Sequence, residues 1–576
     1  MDAKSQLKSF PPGPPTNIRF MVVGTTALMS VLLYLDRFCI SFAEVFIKED
    51  LGLSDKQIGF MLGAFFWTYA LGQVPSGWLT DRFGSRIMLA TFVLLWSVFT
   101  GMTGLAIGFA MLMLLRFGFG FSQSGAYPTG ANIVSKWVPF QWRGTASSVV
   151  STGGRVGGFL ALYATGFVIV WLTPASTPAH LSSEDCLDRP RLCRELAGQG
   201  QLKKPAGQIV RLVLAGLSES QQAAVRQVAA GDATSDADID AVVAGLNHVI
   251  DQPEFFPAEM LKGLSLEREA VRLLVKSPSE RTAFQSRRVN RLVFEAVHPD
   301  SIKKIYGAGW RPMMFLYGAM GLFVVCLIWM FCRDQPSEHP MCNEEEVALI
   351  NRDPRMSAHV TSSVTRVPLI RLICSFSMWC SCLSQFCTNV GWLFVMTWAP
   401  RYFQDVHQVP VETRALMVAI PPLAGMVGMF LGGPLTDRLI GPWGPRWGRA
   451  LPISLTRFAA MGAYLVCLTH PSGWTVAVLF AMVSFFTGLG TSSSWAFCQD
   501  VGGKQVGSVL GWGNMWGNLG AAVAPSLLIW VVGGDKNWDY AFVVCAAAFF
   551  LSGIAALGIN ATIPIAQLNR IPPKEE

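Results

Sequence analysis

Gly77-Trp78-Leu79-Thr80-Asp81-Arg82-Phe83-Gly84-Ser85-Arg86 closes one long apolar run and leads at once into the next. The phrase returns as Gly433-Pro434-Leu435-Thr436-Asp437-Arg438, which runs on to Gly444-Pro445-Arg446 between two later apolar runs. Glycine lets two helices approach closely at a short turn. Aspartate can accept hydrogen bonds at a neighbouring helix N-terminus, and arginine can pair across the turn. Any tight loop favours Gly and Asp. Two copies in register, six apolar runs apart, point instead to a chain built from two duplicated halves.

The apolar runs themselves set the class. The chain has 576 residues, of which 51% are hydrophobic and 14% charged, and its mean hydropathy is +0.40. Soluble domains carry about 25% charged residues. Runs of about 20 apolar residues cross a bilayer core of about 30 Å. Twelve can be placed: 18–38, 58–78, 87–105, 109–128, 144–172, 311–332, 369–397, 412–433, 450–469, 474–495, 506–532 and 538–560. They are continuously apolar rather than alternating, which argues for helices over barrel strands. The polar, proline-rich start MDAKSQLKSFPPGPP does not read as a cleavable signal, and the first run is long enough to span. Lys and Arg concentrate in the short loops on the side of the N-terminus. The positive-inside rule therefore puts both termini in the cytoplasm. The net charge of +7 reflects that topology, and nucleic acid is not an expected partner.

The expected organisation is a tail (1–17), transmembrane helices 1–5 (18–172), an extracytoplasmic insertion (173–309), helix 6 (310–332), a central cytoplasmic linker (333–367), helices 7–12 (368–561) and a C-terminal tail (562–576). In the insertion, VRLLVK and VNRLVFEAV read as amphipathic helix pieces. Cys186 and Cys193 lie there and could form a disulfide in an oxidising compartment. The insertion holds no GxSxG, HExxH or phosphate loop, so a structural cap or a partner surface is expected rather than an enzyme. Most of the thirteen Cys lie in or beside apolar runs, no metal-ligand spacing appears, and no cofactor is expected. All seven His fall in loops, tails or span ends, so a histidine relay inside the spans is not expected.

Charges inside spans are few and costly, which makes them informative. They are Asp36, Arg37, Arg116, Arg155 and Arg457, with Glu44 near a span end. Asp36 is the one carboxylate well inside a run. Three arginine forks against one carboxylate leave positive charge to be matched by an anion in a cavity. Alternatively Arg37 and Arg116 snorkel, or Asp36 neutralises one of them. Arg457 sits nearer the end of its run and is expected to snorkel. Tyr34, Tyr69, Trp392 and Trp495 could stack on a ligand. Asn514 and Asn518 share a helix face, through which they could bond another helix or a ligand.

Together these residues resemble a known family. YLDRFCIS (34–41), FFWTYALGQVPSGWLTDRFGSR (65–86), LLRFGFGFSQSGAYP (114–128), KWVPFQWRGTA (136–146), GWRPMMFLYGAMG (309–321), FCRDQPSEHP (331–340) and NVGWLFVMTWAPRYF (389–403) resemble the anion:cation symporter family of the major facilitators. That family includes hexuronate, galactonate and glucarate carriers, sialin and the vesicular glutamate transporters. The resemblance spans nearly all twelve runs but not 173–309. It implies an all-α membrane protein of major facilitator fold, with twelve transmembrane helices in two pseudo-symmetric six-helix halves. It further implies a monomer in the inner membrane that moves a small organic anion, such as a sugar acid, by alternating access, with protons as the expected co-substrate.

The resemblance also implies roles. Arg37 and Arg116 match arginines tied to the substrate carboxylate and to coupling, Asp36 a protonatable aspartate, and Tyr34 and Tyr69 substrate-site tyrosines. Arg155 falls where galactonate-type carriers have a glutamine. Ser492, Ser494, Trp495 and Asn514 fall on the second half's side of the site. Asp81, Arg82, Arg86, Asp437 and Arg438 would form the gate. Two positions depart from the pattern: Gln123 replaces a glutamate seven residues after the span-four arginine, and Trp142-Arg143 replaces Glu-Arg. Gln cannot titrate, so a uniporter, an exchanger or a sodium-coupled carrier stays open beside proton symport. A non-transporting receptor and a drug exporter are the remaining alternatives.

Overall fold

Apolar runs of this length form helices in lipid because every backbone N–H and C=O must be paired within the segment. A computed structural model describes residues 14–174, 177–198, 204–230, 236–257, 259–264, 266–299, 301–352, 369–409, 411–532 and 537–565. Before the insertion lie α1 (Ile18–Leu51), α2 (Asp55–Phe83), α3 (Ser85–Thr103), α4 (Phe109–Ser124), α5 (Ala126–Trp137) and α6 (Arg143–Leu172). The insertion holds α7 (Arg189–Leu196), α8 (Lys204–Gly216), α9 (Glu219–Ala230), α10 (Asp236–Asp251), α11 (Arg268–Val275) and α12 (Ala283–Val297). Then follow α13 (Trp310–Phe331), α14 (Glu344–Ile350), α15 (Leu369–Cys374), α16 (Phe376–Thr397), α17 (Ala399–Asp405), α18 (Val411–Cys467), α19 (Gly473–Gly502), α20 (Val506–Val532) and α21 (Trp538–Leu557).

Each of the twelve apolar runs falls on helix, and most boundaries agree within about three residues. However, α1, α2 and α19 continue past the expected ends at 38, 78 and 495 to Leu51, Phe83 and Gly502, and the run 109–128 crosses from α4 into α5. At 1.5 Å per residue the 57 residues of α18 would reach about 86 Å, far beyond one bilayer core. The chain turns inside it at Gly444, whose φ of 68° leaves the helical region, so α18 is two spans joined by the second copy of the repeat. Among the described residues six segments are long and apolar enough to cross unaided, and those of 52 and 60 residues each hold two runs. Spans α2, α4 and α16 are less apolar because they bury polar side chains against protein: Gln73, Ser76 and Thr80, then Ser122 and Gln123, then Ser381 and Ser384. Large apolar side chains such as Leu114, Phe323 and Trp530 stand exposed on the outside, as a lipid-facing surface requires.

The chain divides into two compact units, one of them the transmembrane body (1–41, 59–163 and 314–576). Glycines set its tightest contacts. A Cβ on Gly157 would lie 2.0 Å from the Val31 carbonyl of α1, and one on Gly432 would lie 2.2 Å from the Leu489 carbonyl of α19. Two helix N-termini in this body are capped by carboxylates from the segment after α13. Asp334 Oδ1 accepts from the Ser85 and Arg86 backbone N–H groups at the start of α3, at 2.5 and 3.2 Å. Glu346, fully buried on α14, accepts from the Ile18 and Arg19 N–H groups at the start of α1, from Arg19 Nη1 and from the Thr16 hydroxyl. Both satisfy donors that have no intrahelical partner, with the charge sign the helix dipole favours. Residues 353–367 of the central linker and both chain ends lie outside the described residues.

The other unit comprises 42–58 and 164–313. Its core is aliphatic: Leu196, Val213, Val225, Leu246, Ile250, Val293, Phe294 and Ile302 are all buried. The two expected amphipathic pieces are helical, within α11 and α12. Cys186 and Cys193 are buried and free. Polar groups close the unit around the end of α12. His298 Nδ1 lies 2.7 Å from Glu195, and Arg291 Nε donates to Glu295 at 2.7 Å. Glu295 also accepts from the Ile305 backbone N–H at 2.9 Å, and burial pushes its carboxyl up to about 7 in spite of Arg291. Asp50 receives Lys303 Nζ at 2.8 Å and Arg311 Nη2 at 2.9 Å.

Candidate substrate site and gate

Arg37 on α1 is the centre of an aromatic cage. Its guanidinium carbon lies 4.3 Å from the Tyr69 ring centre, 4.7 Å from Tyr34 and 4.8 Å from Phe65, distances at which a cation is attracted by ring faces. Arg116 on α4 reaches the same cage, 5.2 Å from both Phe65 and Phe119. Arg37 and Arg116 are buried, and neither has a carboxylate within ion-pair distance among the described residues. Arg155 on α6 is half-buried, with its guanidinium 4.6 Å from the Trp392 ring of the second half. Tyr127 links the two sides: its ring lies 6.4 Å from Tyr34 and meets Trp495 of α19 edge-on at 4.7 Å.

Asp36 lies next to Arg37 in sequence but points elsewhere. It is 1% exposed, and neither carboxylate oxygen has a hydrogen bond. The buried Trp96 indole of α3 stands beside it without closing one. Neighbours along a helix project about 100° apart, which is why Asp36 does not neutralise Arg37. Gln123 makes the contact instead: its Oε1 accepts from Arg37 Nε at 3.3 Å, and its Nε2 donates to the Leu33 carbonyl at 3.0 Å.

On the second half, Trp495 reaches the cage but the other expected residues are engaged locally. Ser492 is fully buried and donates to the Met429 carbonyl, while Ser494 bonds back to the Gly490 carbonyl. Asn514 is half-buried, and its carbonyl accepts from the Asn518 amide one turn later. Arg457 corrects the snorkelling expectation. It is 3% exposed and donates from Nη1 to the Phe486 and Thr487 carbonyls of α19, because glycine at 490 leaves room for its fork.

The repeated phrase joins the halves crosswise. Asp81 of α2 accepts from the Gly507 N–H at 3.0 Å, the Ser508 N–H at 2.7 Å and the Ser508 hydroxyl at 2.6 Å, at the start of α20. Asp437 of α18 accepts from the Gly144 N–H at 3.0 Å, the Thr145 N–H at 2.7 Å and the Thr145 hydroxyl at 2.8 Å, at the start of α6. Each aspartate caps a helix of the other half. The arginines of the phrase do less. Arg82 stacks over Trp78 and Phe83, Arg86 stacks over Trp329 and bonds its carbonyl, and Arg438 makes no hydrogen bond or ion pair among the described residues. Of the two carboxylates of the phrase, Asp437 meets a cation, Arg449, which is tied in turn through Asp500 to Arg143. Arg449 bonds Asp437 at 3.2 Å and Asp500 at 2.9 Å, and Arg143 bonds Asp500 at 3.3 Å, all but sealed from solvent. Sequence reading missed Arg449 and Asp500. Their one visible signal was their place at the ends of apolar runs.

Comparison with known proteins now decides the family. The family model described as Major Facilitator Superfamily matches residues 26–177 and 305–525. The chain belongs to the major facilitator superfamily. Residues 178–304, the bulk of the insertion, are the internal stretch that this family model does not match. Among curated relatives, a probable sulfoacetate transporter of Cupriavidus necator is 22% identical, covering 95% of each chain. A probable galactarate/D-glucarate transporter of Bacillus subtilis is 22% identical over 98% of this chain and 96% of its own. A D-galactonate transporter of Escherichia coli is 33% identical over 143 residues, 25% of this chain and 33% of its own. Among solved structures, the major facilitator FucP in its outward conformation superposes with a TM-score of 0.54 at 13% identity, over 93% of this chain and 98% of that one. The proton:xylose symporter XylE gives 0.52 at 12%, over 94% of each. These two share the fold. This major facilitator is thus a multi-pass membrane transporter built from helices in two related halves.

Proposed function

We propose that this chain is a secondary transporter of the inner membrane that carries a small organic anion by alternating access. The observation that carries the reading is the pair Arg37 and Arg116: two buried guanidinium groups in an aromatic cage, with no carboxylate among the described residues within ion-pair distance to balance them. A buried unpaired charge costs several kcal/mol, and a carboxylate or sulfonate from outside removes that cost while filling a bidentate fork. The relatives' names, sulfoacetate and galactarate among them, fit such a ligand. Arg155 over Trp392 supplies a third cation from the side of the second half, which suits a substrate with two anionic groups. Tyr34, Tyr69, Tyr127 and Trp495 wall the site. Ser492 and Ser494 act through helix packing.

In this reading the two crosswise caps are the gate. Opening that end requires Asp81 and Asp437 to release the N-termini of α20 and α6. With both chain ends cytoplasmic and the insertion outside, the closed end is the cytoplasmic one. Asp36 is the group to carry a proton. A carrier without proton coupling is the second reading, favoured by Gln123, which holds Arg37 without a titratable group. The test is uptake of galactarate, D-galactonate and sulfoacetate into liposomes, with and without an inward proton gradient, by wild type and Arg116→Ala. Wild-type uptake of one anion that Arg116→Ala loses is the expected result. Equal uptake by the variant refutes the site.

A further inference from the structure

Gln123 is buried to 0% exposure on α4, and both ends of its amide are used. Arg37 Nε can only donate and the Leu33 carbonyl can only accept, so one amide orientation alone satisfies both. Leu33 lies one turn before Arg37 on α1. The amide therefore fastens the guanidinium and the helix that carries it to the same point on α4. On the far side of the fork, where the Tyr69 ring stands, Arg37 Nη2 is buried with no hydrogen-bond partner among the described residues. A neutral clamp on Nε leaves the full positive charge facing outward. A carboxylate in the same place would pair with Arg37 and cancel that charge, and it could not donate to Leu33.

Among the described residues the surroundings offer no other neutralising group. Around Arg37 stand the phenols of Tyr34, Tyr69 and Tyr127 and the guanidinium of Arg116, with the Cys39 thiol close to Arg116. Asp36 is turned toward Trp96 of α3. Resting on the organic-anion reading above, we propose that Gln123 is a positioning residue for substrate binding. Its amide holds Arg37 in place without neutralising it, so that anion affinity does not depend on any titration at this point of α4.

The experiment measures KM against pH for the best-transported of galactarate, D-galactonate and sulfoacetate. It uses the full-length protein in liposomes, and each variant is expressed as a ratio to wild type at the same pH so that titration elsewhere cancels. For Gln123→Glu, the KM ratio is expected to be at least about tenfold at neutral pH, where the ionised carboxyl pairs with Arg37. It should fall toward one in acid, where the protonated carboxyl again offers both an acceptor and a donor. For Gln123→Leu, which lacks the clamp, the ratio should be raised by a similar factor at every pH, with kcat little changed. A flat ratio for Gln123→Glu, or an unchanged KM for Gln123→Leu, overturns the proposal. If wild type takes up none of the three anions, the transport reading fails instead. The melting temperature of Gln123→Glu minus that of wild type must even then change between acid and neutral pH, because ionisation breaks the Leu33 bond. A constant difference sinks the clamp.

Discussion

Gly77→Ala tests whether the crosswise junction is a gate or a permanent seam. In the closed arrangement a Cβ at this position would lie 2.2 Å from the Gly507 carbonyl oxygen and 2.6 Å from its carbon. Ordinary contact begins near 3.4 Å, so α20 must retreat from α2 by about 1 Å, and the obstructing atoms are backbone. Overpacking of this kind costs about 1–3 kcal/mol. That cost falls only on the state in which the halves touch, so it multiplies the population open at this end by about 5–150. Retreat also stretches the Asp81 bonds to Gly507 and Ser508, which adds to the bias. The assay is the distance between spin labels at Arg82→Cys and Lys504→Cys, both exposed, with the exposed Cys326 and Cys374 replaced by serine. Gly77→Ala should move the distribution toward longer distances, whereas Gly63→Ala, whose Cβ meets nothing within 4 Å, should leave it as in wild type. A distribution unchanged by Gly77→Ala refutes the idea that the two aspartate caps open and close.

Arg116→Lys should retain a small fraction of wild-type uptake and Arg116→Ala none, although both remain folded in the membrane, because a point charge cannot reproduce the planar fork. Asp36→Asn should remove any stimulation of uptake by an inward proton gradient while leaving substrate exchange in place; stimulation that survives would take Asp36 out of coupling. In the insertion, burial holds the Glu295 carboxyl up at about 7 against an ordinary 4.5, so its contribution to stability is fully present below about 4.5 and is lost as pH rises through about 7. The span of that loss is about 3 kcal/mol. Glu295→Gln should therefore melt increasingly above wild type as pH rises over that window, and parallel melting curves would show that Glu295 does not titrate there.

The fold was legible because the strongest sequence signals act locally. Continuous apolarity dictates helices in lipid, and the doubled Gly…Asp-Arg phrase marks the same turn in each half. The same phrase disclosed Asp81 and Asp437 and their place at neighbouring helix N-termini, but not the cations that gather there. The arginines adjacent in sequence point along the surface, whereas Arg449 reaches Asp437 from across the turn, and Arg143 reaches Asp500 from the other half, which only tertiary packing brings near. Arg37 and Arg116 were readable because a charge in an apolar run is rare, and Tyr127 was not singled out because aromatics in such runs are common. Arg457 misled for a related reason: distance from a span end suggests snorkelling, but a glycine on the facing helix decides whether the fork can turn inward. Two of the insertion's helices, α11 and α12, followed from amphipathic spacing, while the contact of His298 with Glu195 joins residues 103 apart, beyond the reach of pattern.

The caps from Asp334 and Glu346 have a consequence for how the chain is made. The start of α1 leaves the ribosome first, yet the carboxylate that satisfies its backbone donors comes more than three hundred residues later. Nascent chain that has reached Phe331 holds six spans but two helices with bare N-termini; one that has reached Ile350 holds both stoppers. The first half therefore reaches its finished form only when the linker is translated, and the natural cut for expressing that half alone falls after α14 rather than after α13.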